Sequence, residues 1–491
     1  MVQQDKDVLK LQGILRVPLT LIFFIACLLL LVLLSISGGL IGNYAIPLAF
    51  VALLFTGLAI SSINGWPGGL GFVMPRTKKG LKMLDRLSKN NTRLWRAIPE
   101  FGLAMGFGIL SYFLFKGYVS KKAVFAGVAA ILFMQLIALQ YQYAVMGLFN
   151  QQIIAKTEAS GAAVASSNYY YYLAIALLAV SVIGGFSVFL IGTLLVSALG
   201  TVYGIIAFLL LPHGAAGASL PPPGAVPLIF GFIGIPWYLA LAFLAAISVA
   251  VVVHEFLHGI VARTNRIKNN YIGALLFGII PFGAFVDIDE KRIRKTGKEV
   301  QDRVSVAGVA SNFILAIISF ALMIPVMYYL LPVLFSSHVV IAATVPGSPA
   351  YNAIAPGSVL VSWNGHPISN ISSLESVASA DKPGSIVNVV TSNGSYSLTA
   401  NGTGKIGVFL SEKSLPKVPG PLPDLASFLY ALFAFSFLIN FYLAIFNLLP
   451  LPMLDGWRIY KNMMGKKKLN ALAILSVVLF LLLLLPWAWN L

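Results

Sequence analysis

Long apolar runs dominate this chain, and polar residues fall between them in blocks. Leu21–Leu34, Leu173–Leu211 and Leu472–Leu485 are nearly free of charge. Many runs reach the roughly 20 residues that cross a bilayer as a helix. The pattern predicts spans near 17–37, 44–63, 100–116, 122–148, 168–190 and 191–211 in an N-terminal block, 1–212. A long apolar helix follows from about 228 to Arg263, then Ala307–Leu331, Leu425–Leu449 and Leu472–Trp489. Trp66–Pro99 carries too many Lys and Arg to cross. Tyr169–Tyr172 fits an interfacial aromatic belt, and the Pro- and Gly-rich His213–Pro227 fits a hinge. From about His338 to Glu412 the pattern changes to short alternating runs, such as Ser358–Trp363 and Ser385–Val390, which predict strands. Asn364-Gly365 and Asn393-Gly394 signal tight turns between them. The fold class is therefore an α-helical polytopic membrane protein with a small β-rich domain inserted between two spans.

Composition agrees. The chain is 58% hydrophobic and 10% charged, against about 25% charged for a soluble domain. The net charge of +17 is the mark of a positive-inside membrane protein rather than of a nucleic-acid partner. Its basic residues cluster in loops beside spans, at Arg76–Arg96, Arg263–Arg303 and Arg458–Lys468, and no nucleic-acid motif accompanies them. That asymmetry puts the basic loops in the cytoplasm of a cell membrane and the inserted domain outside. The sequons at Asn370, Asn393 and Asn401 agree with this placement. Val17–Ser37 follows a short basic head without a small-residue cleavage site, and is expected to be a retained anchor. The count leaves one parity conflict around 213–227, which calls for a re-entrant or miscounted span. Cys27 is the single cysteine, so any metal site must use His and carboxylate.

The chemistry lies in His254-Glu255-Phe256-Leu257-His258. Two His four apart on a helix are offset by only about 40° and roughly 6 Å, so both face one metal. Glu255 is the neighbour able to polarise water and shuttle a proton. Ionisable groups on an apolar helix are costly unless paired or metal-bound. A catalytic zinc usually takes a third protein ligand. Asp455, in Asn447-Leu-Leu-Pro450-Leu-Pro452-Met-Leu-Asp455-Gly456, stands where two prolines break an apolar span. By residue pattern alone it is equally a ligand or a helix-end carboxylate at the interface.

Together these two segments resemble the site-2 protease family of intramembrane zinc metalloproteases. The resemblance covers about 228–490. It implies zinc held by His254, His258 and Asp455, with Glu255 as the catalytic base. Gly278-Ile-Ile-Pro281-Phe-Gly283 is similar to that family's membrane re-entrant segment. Gly308-Val-Ala-Ser-Asn312 is similar to the motif that opens its next core span. Asn312 and Asn447 are candidates to support substrate or a developing oxyanion, or equally to bond helix to helix. Pro346-Gly-Ser-Pro349 through Asn364-Gly365-His366-Pro367-Ile368 resembles the PDZ domains of such proteases, which implies peptide capture by strand addition. His338 and His366 read as surface residues. The expected organisation is the block 1–212, the hinge 213–227, a first protease part 228–337, the PDZ-like domain 338–412 and a second protease part 413–491.

The expected activity is hydrolysis of peptide bonds in or near transmembrane segments of membrane-protein substrates, with the lipid bilayer as setting. Two other classes remain: a non-catalytic scaffold presenting the PDZ-like domain, and a metal transporter. An intact Glu255 speaks against the first. The scarcity of ionisable groups on the other spans speaks against the second.

Overall fold

The computed structural model describes residues 2–36, 45–149, 168–210 and 237–489. The expected hinge 213–227 and the side chains of Tyr169–Tyr172 lie outside the described residues. The chain divides into two compact units, Met1–Phe320 with Ala431–Leu491, and Ala321–Tyr430. By length and composition, seven of the described helices are able to cross a membrane.

In the first unit, α1 (Val2–Ile36) and α2 (Ala45–Asn64) are joined by the amide of Asn64, which donates to Thr20 Oγ1 at 2.7 Å. Three very short strands follow: β1 (Gly68–Gly69), β2 (Phe72–Val73) and β3 (Arg76–Thr77). The amphipathic α3 (Leu81–Lys89) places Leu84, fully buried, against Leu257, Ile260 and Val261. Burying such a side chain stabilises by about 1.5–3 kcal/mol. Next come α4 (Thr92–Phe107), a 3₁₀ turn at Gly108–Leu110, α5 (Ser111–Leu114), α6 (Lys121–Phe149) and α7 (Asn168–Leu210).

Two expectations about this block change. The span predicted near 100–116 reverses instead of continuing. Gly108, at φ 56°, turns the chain back, and the Ser120 N–H returns to Glu100 Oε2 at 3.2 Å. The spans predicted at 168–190 and 191–211 form one helical element broken at Gly185, whose φ of 68° favours glycine. A Cβ there would lie 2.3 Å from the backbone of Gly106 and Phe107, so the break lets α4 and α7 touch main chain to main chain.

The helix α8 (Trp237–Thr264) is followed by two nine-residue strands, β4 (Asn269–Phe277) and β5 (Ile280–Ile288). They form an antiparallel hairpin that turns at Gly278, φ 60°. The stretch expected as a membrane re-entrant segment is thus a β-hairpin. β2 and β3 pair with the opposite edge of β4, and β1 pairs with β2, so the N-terminal strands complete a five-stranded sheet. After α9 (Glu290–Ile293), α10 (Lys298–Pro325) leads out of this unit.

The second unit contains a π turn at Val326–Leu330, α11 (Leu331–Leu334), β6 (Phe335–Thr344), β7 (Leu360–Trp363), β8 (His366–Pro367), α12 (Ile371–Ala378), β9 (Ile386–Thr391), β10 (Gly394–Thr399) and β11 (Val408–Pro416). An antiparallel sheet runs β10-β9-β7-β8, and β6 pairs with β11. Its core is Val339, Ile341, Leu360, Trp363, Leu374, Val387 and Val389, the inward residues of alternating runs. Asn364 and Gly365, at φ 48° and 80°, make the β7–β8 turn. In the second hairpin Thr391 pairs with Gly394, so the turn sits on Ser392–Asn393, one residue before the expected position. Asn370 caps α12, with Ser373 closing a reciprocal box. The chain then returns to the first unit through α13 (Pro421–Asn447), α14 (Asp455–Met463) and α15 (Lys466–Trp489).

Candidate metal centre

His254 and His258 stand one turn apart on α8, with Nε2 atoms 3.2 Å from each other. The next apolar helix packs against them through a four-residue period. Val304, Gly308 and Asn312 of α10 share one face, since residues four apart stack on a helix. His258 Nδ1 donates to the Val304 carbonyl at 2.6 Å, and His254 Nδ1 donates to Asn312 Oδ1 at 2.9 Å. Between them Gly308 leaves space: a Cβ there would lie 2.4 Å from both Nε2 atoms. Because a carbonyl oxygen can only accept, each Nδ1 carries the ring proton and each Nε2 presents a lone pair.

Asp455 arrives from the C-terminal part of the chain. Pro450 and Pro452 end α13, Met453 takes φ 81° with its side chain in solvent, and Asp455 opens α14. Gly456 seats this turn, for a Cβ there would lie 2.5 Å from the Leu448 and Leu449 carbonyl oxygens. Asp455 Oδ2 comes to 3.2 Å from His254 Nε2 and 3.3 Å from His258 Nε2. It has no hydrogen-bond donor.

Three acceptors facing one another at this distance, two of them buried, suit a cation. Zinc bonds of about 2.0–2.1 Å in a tetrahedron hold ligand atoms roughly 3.3 Å apart, which matches the spacing here. Among the described residues, His254, His258 and Asp455 form the single group of this kind. The donor set, the orphaned carboxylate oxygen and the space over Gly308 all fit zinc.

Glu255 lies beside the group, and its Oε2 accepts the Val286 N–H of β5 at 3.3 Å. A cavity of about 800 Å³ opens here, lined by Glu255, His258, Asp455, Arg76, Arg294 and Trp457 among others. Asn312 is fully buried with its oxygen on His254, and Asn447 donates to its own helix at Leu443 O, 2.9 Å away. His338 bonds Ser336, and His366 is exposed; neither belongs to the group. The carbonyl of Val304 and the bare backbone of Gly308 escape sequence reasoning because they act without a side chain. The period 304, 308, 312 is the signal that could have found them.

The Arg303 guanidinium, beside Val304, reaches Glu100 Oε1 at 3.1 Å, and Tyr118 bonds Asp302. Burial, then the Asp302 carboxylate, push the Tyr118 phenol well above its ordinary pKa, so its hydroxyl stays the donor.

Residues 242–486 match the family described as Peptidase family M50, that of the site-2 proteases. An uncharacterized protein of Methanocaldococcus jannaschii is 27% identical over 258 residues, which is 51% of this chain and 65% of that protein. The alignment thus spans just under two thirds of that relative's length. The chain carries a Peptidase family M50 domain, and seven helices among the described residues are long and apolar enough to make it a multipass membrane protein.

Proposed function

We propose that the protein is an intramembrane zinc metalloendopeptidase that hydrolyses peptide bonds in or near transmembrane segments of membrane-protein substrates. The observation that carries this is the convergence of His254, His258 and Asp455 on one point, with Glu255 beside them in an open cavity lined by α8, α10, α14 and β5.

Zinc held by those three side chains supplies Lewis-acid polarisation of a substrate carbonyl and of water. The chain's own residues do the rest. Asn312 and Val304 fix the imidazole tautomers, which keeps both Nε2 lone pairs on one point. Glu255, steadied by the Val286 N–H, takes a proton from water and delivers it to the leaving nitrogen. A substrate helix hides its peptide bonds in the i→i−4 ladder, so it must unwind locally, and helix-weakening residues should favour cleavage. Basic loops flank the cavity side, which supports a cytoplasmic site in a cell membrane. The β-rich unit, with its NG turn and capped helix, supports a PDZ-like domain outside that captures peptides by strand addition.

Cleavage of a single-span substrate by detergent-purified protein tests this reading, with wild type beside Glu255→Gln and zinc assayed in both. Zinc in both and a loss of rate of about 10²–10⁴-fold in the variant is the expected result. Zinc in both with no cleavage by either, across several substrates already cut on the outer side, would sink the protease reading in favour of a scaffold or transporter.

A further inference from the structure

We propose that Glu100 and Tyr118, far outside the matched domain, are positioning residues for the metal centre. The inference rests on the metal-centre reading above. Three consecutive residues of α10 carry it. Asp302 accepts from the Tyr118 hydroxyl and, at 2.8 Å, from Asn462 Nδ2 of α14, the helix that Asp455 opens. Arg303 has a side chain only 8% exposed and spends its guanidinium on four acceptors. These are Glu299 Oε1 at 2.9 Å, the Arg96 carbonyl at 2.7 Å, Glu100 Oε1 at 3.1 Å and the Tyr118 carbonyl at 3.1 Å. Val304 then offers the carbonyl that fixes His258.

A buried guanidinium is costly unless its donors are met, and its planar fork fixes direction as well as charge. Glu100 is itself held, since its second oxygen takes the Ser120 N–H. The cluster therefore clamps α10 to segment 92–120 at the turn where α10 meets His258. Through Asp302 and Asn462 it ties in the helix of Asp455. The cluster directly precedes Val304, whose carbonyl orients His258, and ligand orientation sets metal affinity.

The test is zinc affinity of the purified full-length protein, by chelator competition, with the visible spectrum of the cobalt-loaded form as a report on ligand geometry. Glu100→Gln and Tyr118→Phe should each weaken zinc binding about tenfold and shift the cobalt bands. Tyr118→Phe removes a single oxygen, so it guards against a variant that merely unfolds. Glu299→Gln also removes a negative charge beside Arg303, but on the same helix at a half-exposed position, and should leave affinity within about twofold. Unchanged affinity and spectrum in the first two variants, whatever their melting temperature, would overturn the proposal. Equal weakening in Glu299→Gln would overturn it too. Failure of the wild type to bind zinc or cobalt is a distinct result, which would overturn the metal-centre reading and this inference with it.

Discussion

The two sides of the candidate metal centre are built by different means. The histidine side is two regular helices, and each ring Nδ1 of His254 and His258 has a partner on α10. The aspartate side is a proline-broken turn whose ligand oxygen has no donor, held by the fit of Gly456 under two carbonyls. An imidazole must be told which nitrogen to present, so it needs an acceptor behind it. A carboxylate offers the same oxygen chemistry whichever way it turns, so it needs only to be delivered. The difference predicts that the histidine side is sensitive to its neighbours and the aspartate side to its backbone.

The sharpest way to break the comparison is Gly308→Ala. A methyl 2.4 Å from both Nε2 atoms occupies the space where the ligands converge. Zinc content should fall to background while the metal-free protein keeps its fold, as read by metal analysis and thermal unfolding. Retention of zinc would mean that α10 gives way there, and that the histidine side is softer than its geometry implies.

Removing a ligand from each side comes next. His258→Ala and Asp455→Ala should both lose zinc, but the metal-free proteins should differ. Deleting the buried imidazole leaves a cavity and breaks its bond to Val304, at a cost of about 2–4 kcal/mol. Deleting the carboxylate removes an unsatisfied buried acceptor, so the thermal midpoint should hold or rise. Equal destabilisation would erase the distinction.

The smallest effect separates the two asparagines. Asn312→Ala should weaken zinc about 10–100-fold by freeing the His254 ring. Asn447→Ala, whose amide is spent on its own helix, should change zinc affinity less than about twofold. Chelator competition measures both.

How far the sequence foretold this depended on what carries each feature. The pairing of His254 and His258 was legible because spacing on one helix is a local pattern, whereas residue pattern alone left Asp455 open and only the family resemblance singled it out. The hairpin of Asn269–Ile288 was not, because its residues are apolar on both faces and show no alternation, which is equally what a membrane segment shows. The strands at 68–77 are two residues each, too short for any period. The break at Gly185 and the reversal at Gly108 are main-chain contacts between glycines, and an apolar run containing glycine does not tell where it will bend.

The five-stranded sheet has a consequence for where this protein can be cut. The family match begins at residue 242, yet the strand that steadies Glu255 belongs to a hairpin whose far edge is finished by residues 72–77. An excised fragment 242–486 would expose that edge as a row of unpaired amides and carbonyls, inside or beside a bilayer that cannot hydrate them. The matched domain and the unit that completes this sheet are therefore different lengths of this chain, and the longer one includes the strands at 68–77.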